Sequence, residues 1–82
     1  MEFKANQKID CSGQLCPVPI LMTEERFATL AHGEVLEVTF TDPGAEPDLR
    51  AWCRANAHTL LGFTREGASR KAYLRKDNSK GR

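Results

Sequence analysis

The segment Cys16-Pro17-Val18-Pro19 carries a thiol at the point where a loop is predicted to become a helix. Proline is tolerated in the first turn of a helix, where its missing N–H costs no hydrogen bond. We therefore expect Pro17 to be the first helical residue and Cys16 to cap the helix. The Cys16 sulfur would then lie beside unpaired backbone N–H groups and the positive end of the helix dipole, which lowers a thiol pKa. Because the thiolate is the nucleophilic form, Cys16 is the predicted catalytic residue.

Three residues around Cys16 are expected to shape the site, namely Gly13 in the preceding turn and the two prolines, Pro17 and Pro19. Two prolines bracketing one residue make this segment stiff. A stiff segment fixes the sulfur with little conformational entropy left to lose when a partner docks. The alternative interpretation is a proline-initiated helix preceded by an incidental cysteine, because free cysteine is often a small buried apolar residue.

The two further cysteines, Cys11 and Cys53, are expected to have structural roles. Cys53 falls on the apolar stripe of a predicted helix, which favours a packed core thiol. Cys11 lies five residues before Cys16, so a resolving thiol that forms a reversible disulfide with Cys16 is the alternative to a structural role. A zinc site built from the three cysteines and His58 would have unusual ligand spacing and would block the nucleophile, so no metal is predicted.

The elements that position Cys16 are a short strand before it, at residues 8–11, and a helix after it. Apolar residues at helical spacing begin at Ile20, and Gly33 is expected to end the helix. Residues 35–41 alternate between apolar and polar side chains, which predicts a half-buried strand whose other face meets solvent. Their inward residues would be Leu36, Val38 and Phe40.

The second half of the chain repeats the helix signal and then changes to strands. Glu46-Pro47 is expected to open a second helix that runs to about Ala57. Residues 59–65 and 69–76 alternate on either side of a Glu66-Gly67 turn, which predicts a β-hairpin. His58, between the helix and the hairpin, is expected to make a structural hydrogen bond rather than to act in catalysis.

The resulting order β-α-β-α-β-β predicts a two-layer α/β sandwich, with two helices on one face of a four-stranded mixed sheet. A chain of 82 residues supports one core, so we expect residues 1–76 to form one domain and residues 77–82 a flexible basic tail. The loop that holds Cys16 would lie at the rim of the sheet, where α/β proteins commonly expose reactive groups.

Composition indicates a cytoplasmic protein. The sequence has neither an apolar run long enough to span a membrane nor the pattern of a secretory signal. Its three cysteines are odd in number and sparse, which argues against a secreted disulfide framework and for free thiols in a reducing compartment.

Charge is distributed unevenly along the chain. Residues 1–64 contain five Lys/Arg and nine Asp/Glu, whereas residues 65–82 contain seven Lys/Arg and two Asp/Glu. A basic hairpin could attract RNA or an acidic protein surface. Direct nucleic-acid binding is not favoured, because Tyr73 is the one aromatic residue among these charges, and an ordinary solvated hairpin is the simpler interpretation. The candidate partner-binding residues are Arg65, Arg70, Lys71 and Arg75, and Lys76 would add to their long-range attraction.

The chain resembles the TusA (SirA-like) family of small sulfur-carrier proteins from Ile9 to about Lys76. The most specific match is Asp10-x-x-Gly13-x-x-Cys16-Pro17-x-Pro19. Further matches are Gly33, Asp42-Pro43, Asp48-Leu49-x-x-Trp52 and His58-x-Leu60. The chain departs from the family where members often have Arg and Leu flanking the motif glycine, proline in the second helix and glycine before the histidine. The residues at those positions here are Ser12, Gln14, Arg50 and Ala57.

The resemblance implies a relay rather than a turnover enzyme. Cys16 would take sulfur as a persulfide from a cysteine desulfurase or rhodanese-type donor and pass it to an acceptor protein. The resemblance implies neither a cofactor nor a membrane, and sequential docking favours a monomer. Transfer RNA thiolation, molybdenum-cofactor maturation and sulfur oxidation all remain open as destinations. Two alternatives stay open as well: a non-catalytic binding or regulatory module that uses the basic hairpin, and a thiol–disulfide switch.

Overall fold

The computed structural model describes residues 4–77 and contains six elements in the predicted order. They are strand β1 (Gln7–Cys11), helix α1 (Val18–Phe27), strand β2 (Val35–Phe40), helix α2 (Ala45–Ala55), strand β3 (Thr59–Glu66) and strand β4 (Ser69–Arg75). The strands form one sheet in the order β1-β2-β4-β3. Strands β1 and β2 are parallel, and β4 is antiparallel to β2 and β3. The predicted two-layer sandwich with a mixed sheet is confirmed.

The parallel pair of strands decides where the two β-to-α loops meet. Cys11, the last residue of β1, is in register with Phe40, the last residue of β2. The carboxyl ends of both strands therefore reach the same edge of the sheet. As a consequence, the loop before α1 lies beside the loop before α2.

The core lies between the helices and the sheet. The predicted inward residues of β2, namely Leu36, Val38 and Phe40, have no exposed surface. The two structural cysteines also belong to this core, since Cys11 is fully buried and Cys53 is 2% exposed. Burial raises the pKa of Cys53 to about 12 and raises that of Cys11 as well. Burial and a raised pKa both disfavour reaction at these two thiols, and the position of Cys53 on the inner face of α2 is as predicted.

Helix α1 begins one residue later and ends several residues earlier than the sequence predicted. Pro17 is the N-cap and Val18 the first helical residue, so the predictions that Pro17 starts the helix and that Cys16 caps it were both wrong by one position. The helix ends at Phe27 rather than at Gly33. The Lys76 ammonium donates to the backbone oxygen of Phe27, the last helical residue, at 2.9 Å, and to that of Leu30, three residues further on, at 2.7 Å. Such side-chain donors satisfy the carbonyls that a helix terminus leaves unpaired.

Gly33 acts in the turn before β2 instead of ending the helix. It has a φ of +90°, and its N–H donates to the Lys76 oxygen at 2.7 Å. Helix α2 also starts early: Ala45 is its first residue, so Pro47 lies in its first turn. That helix ends at Ala55, two residues before the predicted boundary at Ala57.

The sheet face opposite the helices is less exposed to solvent than the alternation of β2 predicted. Glu37 is 8% exposed and Tyr73 is 5% exposed. The Tyr73 hydroxyl donates to Glu37 Oε1 at 3.0 Å. The two side chains cover each other, and the hydrogen bond offsets the cost of removing the carboxylate from water.

Residues 57 and 58 form the junction between α2 and β3. His58 Nδ1 accepts the backbone N–H of Asp77 at 3.2 Å, which is the structural hydrogen bond predicted for this residue. Burial and the Lys76 charge lower the pKa of His58 and favour its neutral form. Asp77 begins the predicted tail and is hydrogen bonded to Arg75 at 2.8 Å. Residues 78–82, the rest of that tail, lie outside the described residues, so a flexible tail stays a prediction.

Ala57 has a φ of +60° in the left-handed region, where members of the resembled family often have glycine. Replacing Ala57 with glycine should raise the free energy of unfolding by about 0.5–1 kcal/mol, since relief of the left-handed cost exceeds the extra entropy of the unfolded chain. Urea denaturation measures this change. Ala51→Gly, on an exposed position inside α2, is the matched control and should lose about 1 kcal/mol. Destabilisation by Ala57→Gly would contradict the argument.

Candidate functional site

The loop between β1 and α1 carries Cys16 at the shared sheet edge. Gly13 has a φ of +79°, a conformation that favours glycine, and its N–H donates to Thr41 Oγ1 at 2.9 Å. The Cys16 N–H donates to Asp42 Oδ2 at 3.0 Å. Both bonds reach residues that follow β2, so the second β-to-α loop holds the first. The Cys16 residue is exposed.

The two prolines lie where the loop becomes α1. Pro17 is the N-cap, and its peptide bond with Cys16 is cis. Pro19 is the second residue of α1 and is fully buried. Gly13, Pro17 and Pro19, the three residues predicted to shape the site, thus all lie in the loop or first turn that carries Cys16.

The thiol is hydrogen bonded to a carboxylate for which the sequence analysis had no role. Cys16 Sγ donates to Asp48 Oδ2, and Asp48 lies in the first turn of α2. In the sequence, Asp42 and Asp48 stand out only as parts of the segments shared with the resembled family. The parallel arrangement of β1 and β2 is the signal that could have found them, because it predicts that residues after both strands share one edge.

The pKa of the Cys16 thiol is raised, whereas the sequence analysis predicted that the helix terminus would lower it. The hydrogen bond to Asp48 is the largest cause, followed by desolvation and by the negative charges of Asp48 and Asp42. A carboxylate beside a thiol disfavours the thiolate, because it would place two negative charges together. The surroundings of Cys16 therefore favour the protonated thiol over the thiolate.

The amides that were expected to stabilise a thiolate are already used. The Val18 N–H donates to the Leu15 oxygen at 2.9 Å, and the Ile20 N–H donates to the Pro17 oxygen at 3.0 Å. Pro19, between them, has no N–H. The first turn of α1 is therefore a poor source of donors for the sulfur, which explains why the prediction of a lowered pKa was wrong.

A thiol that donates to a carboxylate has a proton acceptor in place for nucleophilic attack. The Asp48 carboxylate can take the proton as the sulfur attacks an electrophile, which is the arrangement of a nucleophile with an adjacent base. The exposed position of Cys16 leaves the sulfur accessible to an electrophile presented by another molecule.

Replacing Asp48 with asparagine should increase the alkylation rate of Cys16 by iodoacetamide at neutral pH by roughly three- to tenfold. The substitution removes the charge that disfavours the thiolate, so the thiol pKa falls and the thiolate fraction rises. Iodoacetamide reacts with the thiolate already present, so this rate reports the thiolate fraction and not the role of Asp48 as a proton acceptor during attack on a persulfide. In the unsubstituted chain the rate should keep rising with pH beyond the ordinary cysteine range, because the pKa is raised. Asp10→Asn neutralises another carboxylate at the same sheet edge and should change the rate little. An unchanged or slower rate for Asp48→Asn would contradict the electrostatic argument.

The structure does not bring the basic residues of the hairpin onto one surface. Arg65 is directly opposite Arg70, on the sheet face that carries the helices, whereas Lys71 and Arg75 alternate to the other face. Three of the four predicted partner-binding residues make ion pairs, namely Arg70 with Glu46 at 2.8 Å, Lys71 with Glu66 at 3.4 Å and Arg75 with Asp77 at 2.8 Å. The fifth basic residue, Lys76, binds the end of α1.

Neither a metal centre nor a membrane-spanning helix is found in the part of the chain that the structure describes. Within residues 4–77, no group of three or more His, Cys, Asp or Glu residues is arranged to hold a metal ion. Across the same range, neither helix has the length and apolar character needed to cross a bilayer.

Comparison with known proteins gives consistent matches. The family model described as "Sulfurtransferase TusA" matches residues 7–76. YrkI, a candidate sulfur carrier protein of Bacillus subtilis (strain 168), is 40% identical over 74 residues, which cover 90% of this chain and 99% of that relative. The sulfur carrier protein TusA of Allochromatium vinosum is 32% identical over 71 residues, which cover 87% of this chain and 93% of that protein.

Two further comparisons concern length and fold. YrkF, another candidate sulfur carrier protein of Bacillus subtilis, is 42% identical over 74 residues, but the chain spans only 40% of the length of that relative. The crystal structure of the SirA-like protein from Desulfitobacterium hafniense superposes with a TM-score of 0.78 at 18% identity, covering 88% of this chain and 99% of that one. This structural likeness supports the fold.

Proposed function

Because the chain belongs to the sulfurtransferase TusA family, we propose that it is a sulfur carrier whose Cys16 holds sulfane sulfur as a persulfide between a donor and an acceptor protein. The observation that carries this proposal is the exposed Cys16 thiol hydrogen bonded to the Asp48 carboxylate. A carrier needs one accessible sulfur nucleophile with a route for its proton, and these two residues supply both.

In the loading step, Cys16 attacks the outer sulfur of a persulfide on the donor, R–S–SH. A bond forms between Cys16 Sγ and that outer sulfur while the S–S bond of the donor breaks, and the donor leaves as a thiolate. Asp48 takes the Cys16 proton during the attack, and the proton then passes to the leaving thiolate. The products are Cys16–S–SH and R–SH, so atoms and electrons balance without an external oxidant or cofactor.

The delivery step is the same exchange with the roles reversed. A thiol of the acceptor attacks the outer sulfur of Cys16–S–SH, and Cys16 leaves as a thiolate that recovers a proton. The raised thiol pKa has a use between deliveries, because the unloaded carrier is protonated and therefore resists oxidation better than a thiolate would. The donor is proposed to be a cysteine desulfurase or a rhodanese-type protein, and the acceptor belongs to transfer RNA thiolation or another sulfur relay.

We place this relay in the cytoplasm, because a reducing compartment keeps the three free cysteines available as thiols. A monomer suits a carrier that must present the same Cys16 surface to two partners in turn. The alternative of a binding module based on the basic hairpin has less support, because its cations are divided between two faces and three of them are ion-paired.

The proposal is tested by incubating the purified chain with a cysteine desulfurase and cysteine and measuring its intact mass. The expected result is a gain of one sulfur atom that a reductant removes. Peptide mapping should locate the added sulfur on Cys16, because the other two cysteines are buried. A sulfur that maps to Cys11 or Cys53, or no gain with either a desulfurase or a rhodanese, would end the proposal.

A further inference from the structure

Four arginines from α2 and the hairpin lie on the helix-bearing side of the molecule: Arg50, Arg54, Arg65 and Arg70. We call this set the arginine surface. Two of its members come from the predicted basic hairpin and two from α2. Lys71 and Arg75 also belong to the hairpin, but they lie on the other sheet face and are not part of the arginine surface. Arg50 follows Asp48, the partner of the Cys16 thiol, by two positions in α2, so the two side chains leave different sides of the same helix.

Contacts at the hairpin hold one half of this surface together. Arg65 and Arg70 are direct cross-strand partners, an arrangement of like charges that is unfavourable by itself. Glu46, in the first turn of α2, relieves it by accepting from Arg70 at 2.8 Å. Arg65 is exposed. The hairpin thus tolerates adjacent positive charges at this end, with one of them directed to solvent.

Helix α2 supplies the other half of the surface. Arg50 pairs with Glu46 at 3.2 Å and lies over the Phe63 ring at 4.9 Å from its centre, which fixes the guanidinium against β3. Arg54 is one turn further along α2 and is exposed. Both arginines line an open groove of about 420 Å³ between α2 and the start of β3.

The guanidinium of Arg50 is held in place by the Glu46 carboxylate and by the Phe63 ring. Glu46 pairs with Arg50 and Arg70, whereas Arg54 and Arg65 are exposed, so the arginine surface carries an excess of positive charge. The Cys16 site, with the carboxylates of Asp42 and Asp48, lies at the amino-terminal end of the same helix. A partner that contacts both the arginine surface and the acidic Cys16 site must carry negative charge opposite the first and positive charge opposite the second. Such charge complementarity fixes the orientation of the two proteins and raises their rate of encounter.

Resting on the sulfur-relay function above, we propose that the arginine surface docks an acidic face of the protein that exchanges sulfur with Cys16. Planar guanidiniums pair with carboxylates through two parallel hydrogen bonds and are enriched at protein interfaces. An RNA partner fits less well, because the Phe63 ring is covered by Arg50 and is not available for base stacking.

The test compares the rate of Cys16 loading from a protein donor with the rate from a small donor. The protein donor is the cysteine desulfurase of the same organism with cysteine, or its rhodanese with thiosulfate, whichever loads the unsubstituted chain. The small donor is cysteine persulfide, which needs no docking surface. The variant is Arg54→Gln with Arg65→Gln, which removes two exposed charges and leaves both ion pairs of Glu46 in place.

The expected result is a roughly tenfold fall in the second-order rate constant for the protein donor at low salt, with the difference disappearing at high salt. Loading by cysteine persulfide should be unchanged. The matched control is Lys8→Gln with Lys71→Gln, which removes the same charge from the opposite sheet face and should load at the normal rate. Chemical denaturation confirms that every variant is folded.

Three results would overturn the docking proposal. The first is protein-donor loading that changes less than twofold in the arginine variant, or that changes equally in the Lys8/Lys71 control. The second is binding of a fluorescent oligouridylate that the arginine substitutions weaken, which would assign the surface to RNA. The third is a Cys16 that neither donor loads, which would remove the sulfur-relay function on which the proposal rests. If cysteine persulfide loads Cys16 and the arginine substitutions do not change loading by the protein donor, the sulfur-relay function stands and only the docking proposal fails.

Discussion

Replacement of Cys16 with serine is expected to abolish sulfur loading completely. A hydroxyl oxygen does not form the S–S bond that a persulfide requires, and no other cysteine is exposed within residues 4–77. The free energy of unfolding should change by less than about 0.5 kcal/mol, because residue 16 is at the surface and a serine hydroxyl can still donate to Asp48. Intact-mass measurement after incubation with a persulfide donor, together with urea denaturation, gives both quantities.

The matched control is Cys53→Ala, which removes a thiol from the core and should retain the full sulfur gain. This pair separates loss of the reactive sulfur from a general effect of removing a cysteine. A Cys16→Ser protein that still gains one sulfur would show that the cargo is held elsewhere. Loss of loading in both variants would point instead to damage to the fold, which the denaturation curves would reveal.

Replacement of Leu49 with alanine is expected to lower the free energy of unfolding by about 3 kcal/mol. Leu49 has no exposed surface and packs in the core from α2. Truncation removes buried apolar contacts and leaves a cavity that the tightly packed neighbours fill only in part. For a domain of this size the midpoint of thermal unfolding should fall by more than about 10 °C. Calorimetry or circular dichroism measures the shift.

Leu21→Ala makes the same chemical change at a helical position that is 58% exposed. It should cost less than about 1 kcal/mol, because little apolar surface leaves water at this site on folding. A Leu49→Ala variant as stable as Leu21→Ala would mean that α2 does not contribute to the core in the way described. Equal and large losses at both positions would mean that Leu21 is covered in solution.

Local sequence patterns were sufficient for the fold. The alternation of Leu36, Val38 and Phe40 identified the inward face of β2, and the Glu66-Gly67 turn identified the hairpin. The helix boundaries were less accurate because they depend on distant contacts. Lys76 donates to the Phe27 and Leu30 carbonyls from 49 and 46 residues away, and no pattern within α1 indicates that partner.

For the candidate site as well, local sequence patterns predicted some features, and distant contacts decided the others. The proline pattern located Cys16 at the start of a helix and at the surface, as the structure has it. The direction of its pKa was wrong, because that property is set by Asp48 from 32 residues further along the chain. A local rule about helix termini therefore found the exposed thiol and missed the carboxylate that accepts its hydrogen bond.

The site is divided between two β-to-α units, so sulfur carriers with this fold can change the two parts of the site independently. The first unit supplies the sulfur, and the second supplies the carboxylates at positions 42 and 48 that adjust its acidity. Substitutions in the second unit can change the reactivity of the sulfur on the cysteine without any change in the loop that carries the cysteine. The thiol and the carboxylates that set its pKa therefore lie on separate segments of the chain. Either segment can change in sequence without a change in the other.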